Sequence, residues 1–281
     1  MDTEKGILYL CATPIGNLGD ITENVVNTLK EADLIAAEDT RNSVKLLNHF
    51  AIKTPMTSYH EHNKYDKAKD LLRQLEGGKQ IALITDAGTP AISDPGEVLV
   101  DLCHEAGIRV TSLPGPCACI TALSLSGISA RRFCFEGFLP HQKKEREEVL
   151  RQLSSEERTI ILYEAPHHLC ETLRQLYDAL GERKMAVCRE LTKRYESCIR
   201  MELSEAVSHF EANEPKGEFV LVIEGKARSV TQDEKRAEWM KLTLEEHMRY
   251  YEEKGFDKKE SMKKVAADRG MTKRDVYQQL L

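Results

Sequence analysis

The sequence has no apolar run approaching the roughly 18–20 residues that a membrane-crossing helix needs, so no span is expected. It does not open on a basic segment followed by an apolar one, and no secretory signal is expected. Its eight cysteines (Cys11, Cys103, Cys117, Cys119, Cys134, Cys170, Cys188 and Cys198) include no CxxC pair. They sit in apolar stretches or beside small residues. That pattern reads as reduced, buried thiols rather than a disulfide framework. These absences together predict a cytoplasmic protein. No turn reads GxGxxG and no Walker lysine is present, which argues against a nucleotide-triphosphate or dinucleotide loop. His60 and His62 form an HxH with no obvious third ligand, so no metal is expected. Internal repeats and low-complexity tracts are also missing. The net charge of −6 excludes a surface coated throughout in nucleic acid but leaves room for a local basic site.

What is present alternates. Short apolar runs at 6–12 (GILYLCA), 33–37 (DLIAA), 80–85 (QIALIT) and 108–113 (IRVTSL) read as strands. Between them lie helical patterns: one opened by Asp20 and Glu23 at N-cap and N3 spacing, a short one carrying Val44, Leu46 and Leu47, and an amphipathic one over 66–76. The stretch DPGE adds a fourth start, with Asp94 at N-cap, Pro95 at N1 and Glu97 at N3. This alternation predicts an α/β fold with a parallel sheet. After PGP (114–116) comes a helix of small residues, CACITALSLSG. Then FCFEGFLP, TIILYE (159–164), a helix from Pro166 to about Leu180, MAVCREL (185–191) and FVLVIEG (219–225) make a second α/β unit. The predicted domains are 1–117, 118–228 and a helical tail over 229–281, with function in the cleft between the first two.

The tail changes character. Ala237, Met240, Leu244, Met248 and Tyr251 keep helical spacing up to Gly255. Asp257 and Glu260 open a second helix, and Thr272 and Asp275 cap a third, giving a helix-turn-helix-like pattern. Lys258, Lys259, Lys263, Lys264, Arg269, Lys273 and Arg274 face two acids over that span.

Several loops demand an explanation. The strand LIAA ends in Glu38, Asp39, Thr40 and Arg41 rather than in ordinary turn residues. This is either an ion-pair cluster that orders a loop, or chemistry. DAGTPAISDPG follows the cleanest buried strand, at the kind of sheet edge where ligands bind. Asp94 there reads as a helix cap, whereas Asp86 has no such role. TPIGNLGD reads as a tight turn, because Pro14 removes a donor that a phosphate loop needs. PGPCAC offers close helix packing or a flat wall for a bound ring. RELTKR leaves a second-domain strand and suits either a solvated face or the cleft.

Taken in order, TPIGNLGDIT (13–22), IAAEDTR (35–41), LITDAGTPAISDPG (83–96), PGPCACITAL (114–123), FEGFLP (135–140), YEAPHHL (163–169), RELTK (189–193) and KGEFVLVIEG (216–225) resemble the tetrapyrrole-methylase superfamily, in the branch that modifies small-subunit ribosomal RNA. The resemblance spans about residues 6–226, and the tail resembles that branch's C-terminal extension. It implies two α/β domains with S-adenosyl-L-methionine in the cleft between them, a helix-turn-helix-like tail, and a homodimer. The implied reaction is 2'-O-methylation of a cytidine in the decoding region of 16S rRNA of the 30S subunit. By position, the resemblance places Asp86, Gly88, Thr89, Ile92, Ser93, Cys117, Ala118, Tyr163, Glu164, Leu191 and Gly217 at the cofactor. It departs at His168, where the family pattern has arginine. Asp39 or Glu38 is expected to take or orient the 2'-hydroxyl proton, and Arg41 to hold a neighbouring phosphate. The seven basic tail residues are expected to contact RNA. Two rival readings are a methyltransferase acting on a small tetrapyrrole and a non-enzymatic DNA-binding regulator.

Overall fold

The computed structural model describes residues 5–227, 236–237 and 239–280. The expected boundary at 228/229 lies outside the described residues.

Five strands, β1 (Ile7–Cys11), β2 (Leu34–Ala37), β3 (Met56–Ser58), β4 (Ile81–Ile84) and β5 (Arg109–Leu113), form one parallel sheet in the order β3-β2-β4-β1-β5. Helices α1 (Glu23–Glu31), α2 (Thr40–His49), α3 (Lys64–Glu76) and α4 (Gly96–Glu105) connect them. Parallel strands need crossovers, and the crossovers cover both faces. Alternate residues of the strands therefore enter two separate cores. Leu8, Leu10, Ile81 and Leu83 pack with Leu71, Leu75 and Leu99 from α3 and α4. Cys11, Ile35, Ala37, Ala82 and Ile84 pack with Val25, Leu29 and Leu47 from α1 and α2. Each fully buried leucine or isoleucine here contributes roughly 1.5–3 kcal/mol of burial free energy.

The chain then crosses. Helix α5 (Ala118–Ser126) places Cys119, Ala122 and Leu123 against a second sheet, beside Ile161, Ala186 and Val222. That sheet comprises β6 (Phe133–Gly137), β7 (Thr159–Glu164), β8 (Lys184–Arg189), β9 (Ser197–Glu202) and β10 (Phe219–Ile223), in the order β6-β7-β10-β8-β9. β6 and β7 are parallel, and the other pairings are antiparallel. Helices α6 (Lys143–Leu153), α7 (Pro166–Leu180) and α8 (Leu203–Ala212) cover its other face, burying Leu150, Leu169, Leu173, Leu176 and Phe210.

Three expected helix starts move. Thr22, not Asp20, caps α1 by accepting from Val25 N–H; Asp20 closes a short 3-10 turn over Leu18–Asp20. Helix α4 begins at Gly96, and Asp94 instead accepts from Gly96 N–H (2.9 Å) and Ile92 N–H (3.2 Å). In the tail, Met240 and Leu242 stand exposed, and a capping box of Thr243 and Glu246 starts a separate helix, α9 (Leu244–Glu253). It packs with α10 (Lys258–Arg269) and α11 (Lys273–Gln279) around Met248, Val265, Ala266 and Val276. Strands β3 and β9 and helices α6 and α8 were not legible: β3 and β9 lack fully buried residues, and α6 is mostly charged.

The tail also corrects one site residue. Arg269 is buried, donating to the carbonyls of Trp239, Leu242 and Thr243 and to His247 Nδ1. It ties α10 to the start of α9 and is not a surface contact for RNA. Lys264 is half-buried, its ammonium over the Phe256 ring at 4.3 Å. Lys258, Lys259, Lys263, Lys273 and Arg274 are exposed. No described helix is long and apolar enough to cross a membrane.

Candidate active site

Because β2, β4 and β1 are parallel and adjacent, their exit loops emerge side by side at one sheet edge. That is why AEDTR, DAGTP and TPIGN meet although they are far apart in sequence. The loops face the second sheet across a cleft of about 540 Å³, within the roughly 300–1,000 Å³ of small-molecule and cofactor sites.

Asp86 organises the first-domain side. Its Oδ1 accepts from Asp39 N–H (3.1 Å), its Oδ2 from the Asn42 amide (3.4 Å), and its own N–H donates to Glu38 Oε2 (3.5 Å). Gly88 exchanges backbone bonds with Thr13, at 2.9 and 3.1 Å, in a conformation with φ +92°. A Cβ there would lie 3.3 Å from Ile15 Cγ2, filling the cradle that the loop forms. Thr89 Oγ1 donates to Pro116 O (2.9 Å), joining this loop to PGPCAC. Ala91 and Ser93 also take positive φ, and the Asp94 carboxylate holds that turn.

The second-domain side comes from strand ends. Tyr163 accepts from Cys119 N–H (3.1 Å), and its ring meets those of Phe135 and Phe138 edge-on. Burial raises the Tyr163 hydroxyl above its ordinary range, so it stays protonated. The Cys119 thiol, 3.4 Å away, and the first N–H groups of α5 hold the Cys117 thiol below its ordinary range. Glu164 lines the cleft, but its oxygens accept from Ala165 N–H (2.7 Å) and the Thr172 hydroxyl (2.6 Å).

Of the expected cofactor residues, Asp86, Gly88, Thr89, Ile92, Ser93, Cys117, Ala118, Tyr163, Glu164 and Leu191 line this one cleft. Gly217 does not. It adjoins Glu218, which does, and takes φ +88°, where a Cβ would meet Glu190 Oε1 at 2.7 Å. Glu190, packed against it, accepts from Glu218 N–H and Lys193 Nζ, both at 3.0 Å. Reading the sequence missed Ile15, Phe138, Pro166, Glu218, Phe219 and Val220. The last three reach the cleft because β10 runs antiparallel: its first residue pairs with the last residues of β7 and β8, Glu164 and Arg189. Nothing local in the sequence signals that reversal. The domains also touch beside the cleft, where Asn17 N–H donates to Thr192 Oγ1 (3.0 Å).

The structure separates the three acid-loop residues. Glu38 alone lines the cleft. Burial raises its carboxyl above the ordinary glutamate range, and the Asp86 and Asp94 charges push the same way. Asp39 instead caps α2. Its Oδ1 accepts from Arg41 N–H (2.8 Å) and Nε (3.1 Å), and its Oδ2 from Nη2 (2.8 Å). The Arg41 guanidinium holds the Asp39 carboxyl down to about 2. A depressed carboxyl contributes stability above its unfolded pKa, near 4, and loses it as pH falls toward 2. Asp39→Asn is therefore expected to lower stability at neutral pH and to flatten acid unfolding in that window, while turnover stays near wild type. Calorimetry from pH 2 to 7 checks this; an unchanged acid profile would count against the ion pair.

Among the described residues, no cluster of His, Cys, Asp or Glu is arranged to hold a metal. The cleft residues do fit a cofactor with a flat ring, hydroxyls and a cationic centre. They supply an apolar wall of Ile15, Ile92, Leu191 and Tyr163, a glycine cradle, and the carboxylates Asp86 and Glu38.

Comparison with known proteins agrees with this geometry. Residues 7–207 match the family model of tetrapyrrole (corrin/porphyrin) methylases. Ribosomal RNA small subunit methyltransferase I of Halalkalibacterium halodurans is 49% identical, over 98% of this chain and 94% of its own. The Bacillus subtilis protein of the same name is 48% identical over the same shares. Among solved structures, diphthine synthase aligns with a TM-score of 0.64 at 13% identity, covering 79% of this chain and 91% of its own. Uroporphyrin-III C-methyltransferase from Thermus thermophilus, solved with S-adenosyl homocysteine, aligns with a TM-score of 0.56 at 16% identity, covering 77% and 97%. These two share the fold. The ordered motifs, the interdomain cleft and the near-full-length matches agree: the chain belongs to the tetrapyrrole methylase family, alongside its ribosomal RNA small subunit methyltransferase I members.

Proposed function

We propose that this protein transfers a methyl group from S-adenosyl-L-methionine to the ribose 2'-oxygen of a cytidine in the decoding region of 16S rRNA, acting in the cytoplasm on the small ribosomal subunit. The observation that carries the reading is the 49% identity over 98% of the chain to a protein named for that rRNA substrate class. The bound cofactor supplies a methyl group already activated on a sulfonium. The chain's own residues then have two tasks. The first is positioning: the Gly88 cradle and the Ile15, Leu191 and Tyr163 walls hold the reactants together, and orientation of this kind is worth about 7–11 kcal/mol of barrier. The second is the proton. Glu38 accepts it from the 2'-hydroxyl, a contribution of about 10²–10⁴-fold. Asp86 orients Glu38 through its N–H, and Asp39 positions the loop. Arg41, with its side chain 89% exposed, reaches for a phosphate next to the target.

The test is methyl transfer from labelled cofactor to 30S subunits, naked 16S rRNA and a tetrapyrrole precursor, all from cells lacking the protein, followed by mapping. Label at one ribose is expected. Label only on the tetrapyrrole would overturn the substrate.

The exposed tail cations supply further phosphate contacts. Replacing Lys258, Lys259, Lys263, Lys273 and Arg274 by alanine in the full chain is expected to weaken RNA binding and lower its salt slope by up to about 4. Cofactor affinity stays unchanged. Unaltered RNA affinity would assign the tail to docking instead. A homodimer is part of the same reading, supported by Ile120 and Leu125, which stand 46% exposed on α5. Sedimentation showing only monomer at micromolar concentration would remove it.

A further inference from the structure

The cleft has an exposed aromatic ring, Phe138, that the mechanism above does not use. Phe138 lines the cleft yet is 54% exposed, which places its ring at the mouth. A large apolar side chain left exposed at a site entrance calls for a partner. The ring is not loose. It packs edge-on against Tyr163 at 5.7 Å, Tyr163 packs on Phe135 at 4.9 Å, and the Tyr163 hydroxyl is fixed by Cys119 N–H. Its backbone follows Gly137, at φ +64°, where a Cβ would lie 3.6 Å from Ser93 Oγ of the first-domain loop. Ile92, on that facing loop, is also exposed, at 38%.

Three imidazoles adjoin one another close by in the chain: His141 stands three residues past Phe138, and His167 and His168 follow Pro166, which lines the cleft. His167 and His168 lie 4.1 Å apart between ring centroids, and His141 meets His168 at 5.9 Å. His167 and His168 sit in the first turn of α7, a helix of 15 residues that no side chain caps. A neutral imidazole still carries one N–H donor, and an uncapped helix N-terminus favours an anion. The buried Glu164 turns its oxygens to Ala165 N–H and the Thr172 hydroxyl. Lys143 and Lys144, the first two residues of α6, are exposed.

We propose that Phe138 stacks on the base of the target nucleotide, drawn out of the RNA into the mouth of the cleft, and that His141, His167 and His168 hold the phosphates flanking it. The proposal rests on the RNA reading above and specifies how the strand enters. An aromatic face accepts a base by stacking with little regard to its identity, and a duplex base cannot reach such a ring without leaving its stack.

The experiment uses full-length wild type, Phe138→Ala, Phe138→Leu, Phe138→Trp and the triple variant His141→Ala/His167→Ala/His168→Ala. Cofactor affinity is measured by calorimetry, RNA affinity by filter binding of the cofactor-free protein, and RNA KM by methyl transfer. Phe138→Ala and Phe138→Leu are expected to raise RNA Kd and KM by about tenfold, the loss of one base stack. Phe138→Trp is expected to retain both, and the triple variant to raise both. Cofactor affinity stays within twofold throughout. Wild-type RNA affinity in Phe138→Leu, or a parallel loss of cofactor affinity, would overturn the assignment. If wild type itself methylates no RNA, the RNA reading fails, and that outcome needs no variant to recognise.

Discussion

Glu38→Gln is expected to slow single-turnover methyl transfer by about 10²–10⁴-fold, with cofactor and RNA affinities little changed. Glutamine keeps the shape and the oxygen that accepts from Asp86 N–H, so the loop should hold. What it loses is the ability to take a proton. The pH dependence makes the test specific. A general base works deprotonated, and burial raises the Glu38 carboxyl. The acid limb of the wild-type rate profile should therefore lie above the ordinary glutamate range and vanish in Glu38→Gln. Asp39→Asn should keep that limb, because Asp39 is tied to Arg41 and does not line the cleft. A Glu38→Gln rate near wild type would mean that positioning alone carries the reaction.

Gly88→Val is expected to weaken cofactor binding by about 10–100-fold, from roughly 1–3 kcal/mol of overpacking. A second effect adds to it. At φ +92° a β-branched residue is strained, so the melting temperature should fall as well. The backbone pair with Thr13 holds Gly88 in place and prevents the loop from moving aside. Ile15 Cγ2 would lie 3.3 Å from the new Cβ, and the valine methyls extend beyond it. Gly88→Ala separates the two effects: it carries much of the strain and little of the bulk. Calorimetric titration with S-adenosyl homocysteine, alongside melting curves, resolves them. Wild-type cofactor affinity in a folded Gly88→Val protein would remove this loop from the site.

Much of this layout is present in local sequence. The buried run IALI (81–84), bounded by Gly77-Gly78 and by DAG, can only be a covered strand, and its exit loop can only lie at the sheet's carboxyl edge. The first-domain site residues follow from that, since parallel strands put every exit on one side. The second domain followed different rules. Its central strand β10 reverses direction, so a site wall is built from the start of a strand, at Glu218 and Phe219, where a parallel reading looks only at ends. Gly217 packs against Glu190, a contact between segments that no local pattern signals.

Charge was the least legible property. Glu38, Asp39 and Arg41 are neighbours in the chain, and Arg269 reads like the lysines around it. Burial and hydrogen-bond partners tell them apart. The two α/β units, the order of the motifs and the residues available to the cleft follow from the chain alone, because hydrophobic periodicity and turn chemistry act over a few residues. Packing of the folded chain settles which acid faces the cleft, which caps a helix, and which arginine binds backbone carbonyls. Those outcomes depend on desolvation and on partners brought from distant segments, such as Asp86 for Glu38 and Trp239 for Arg269.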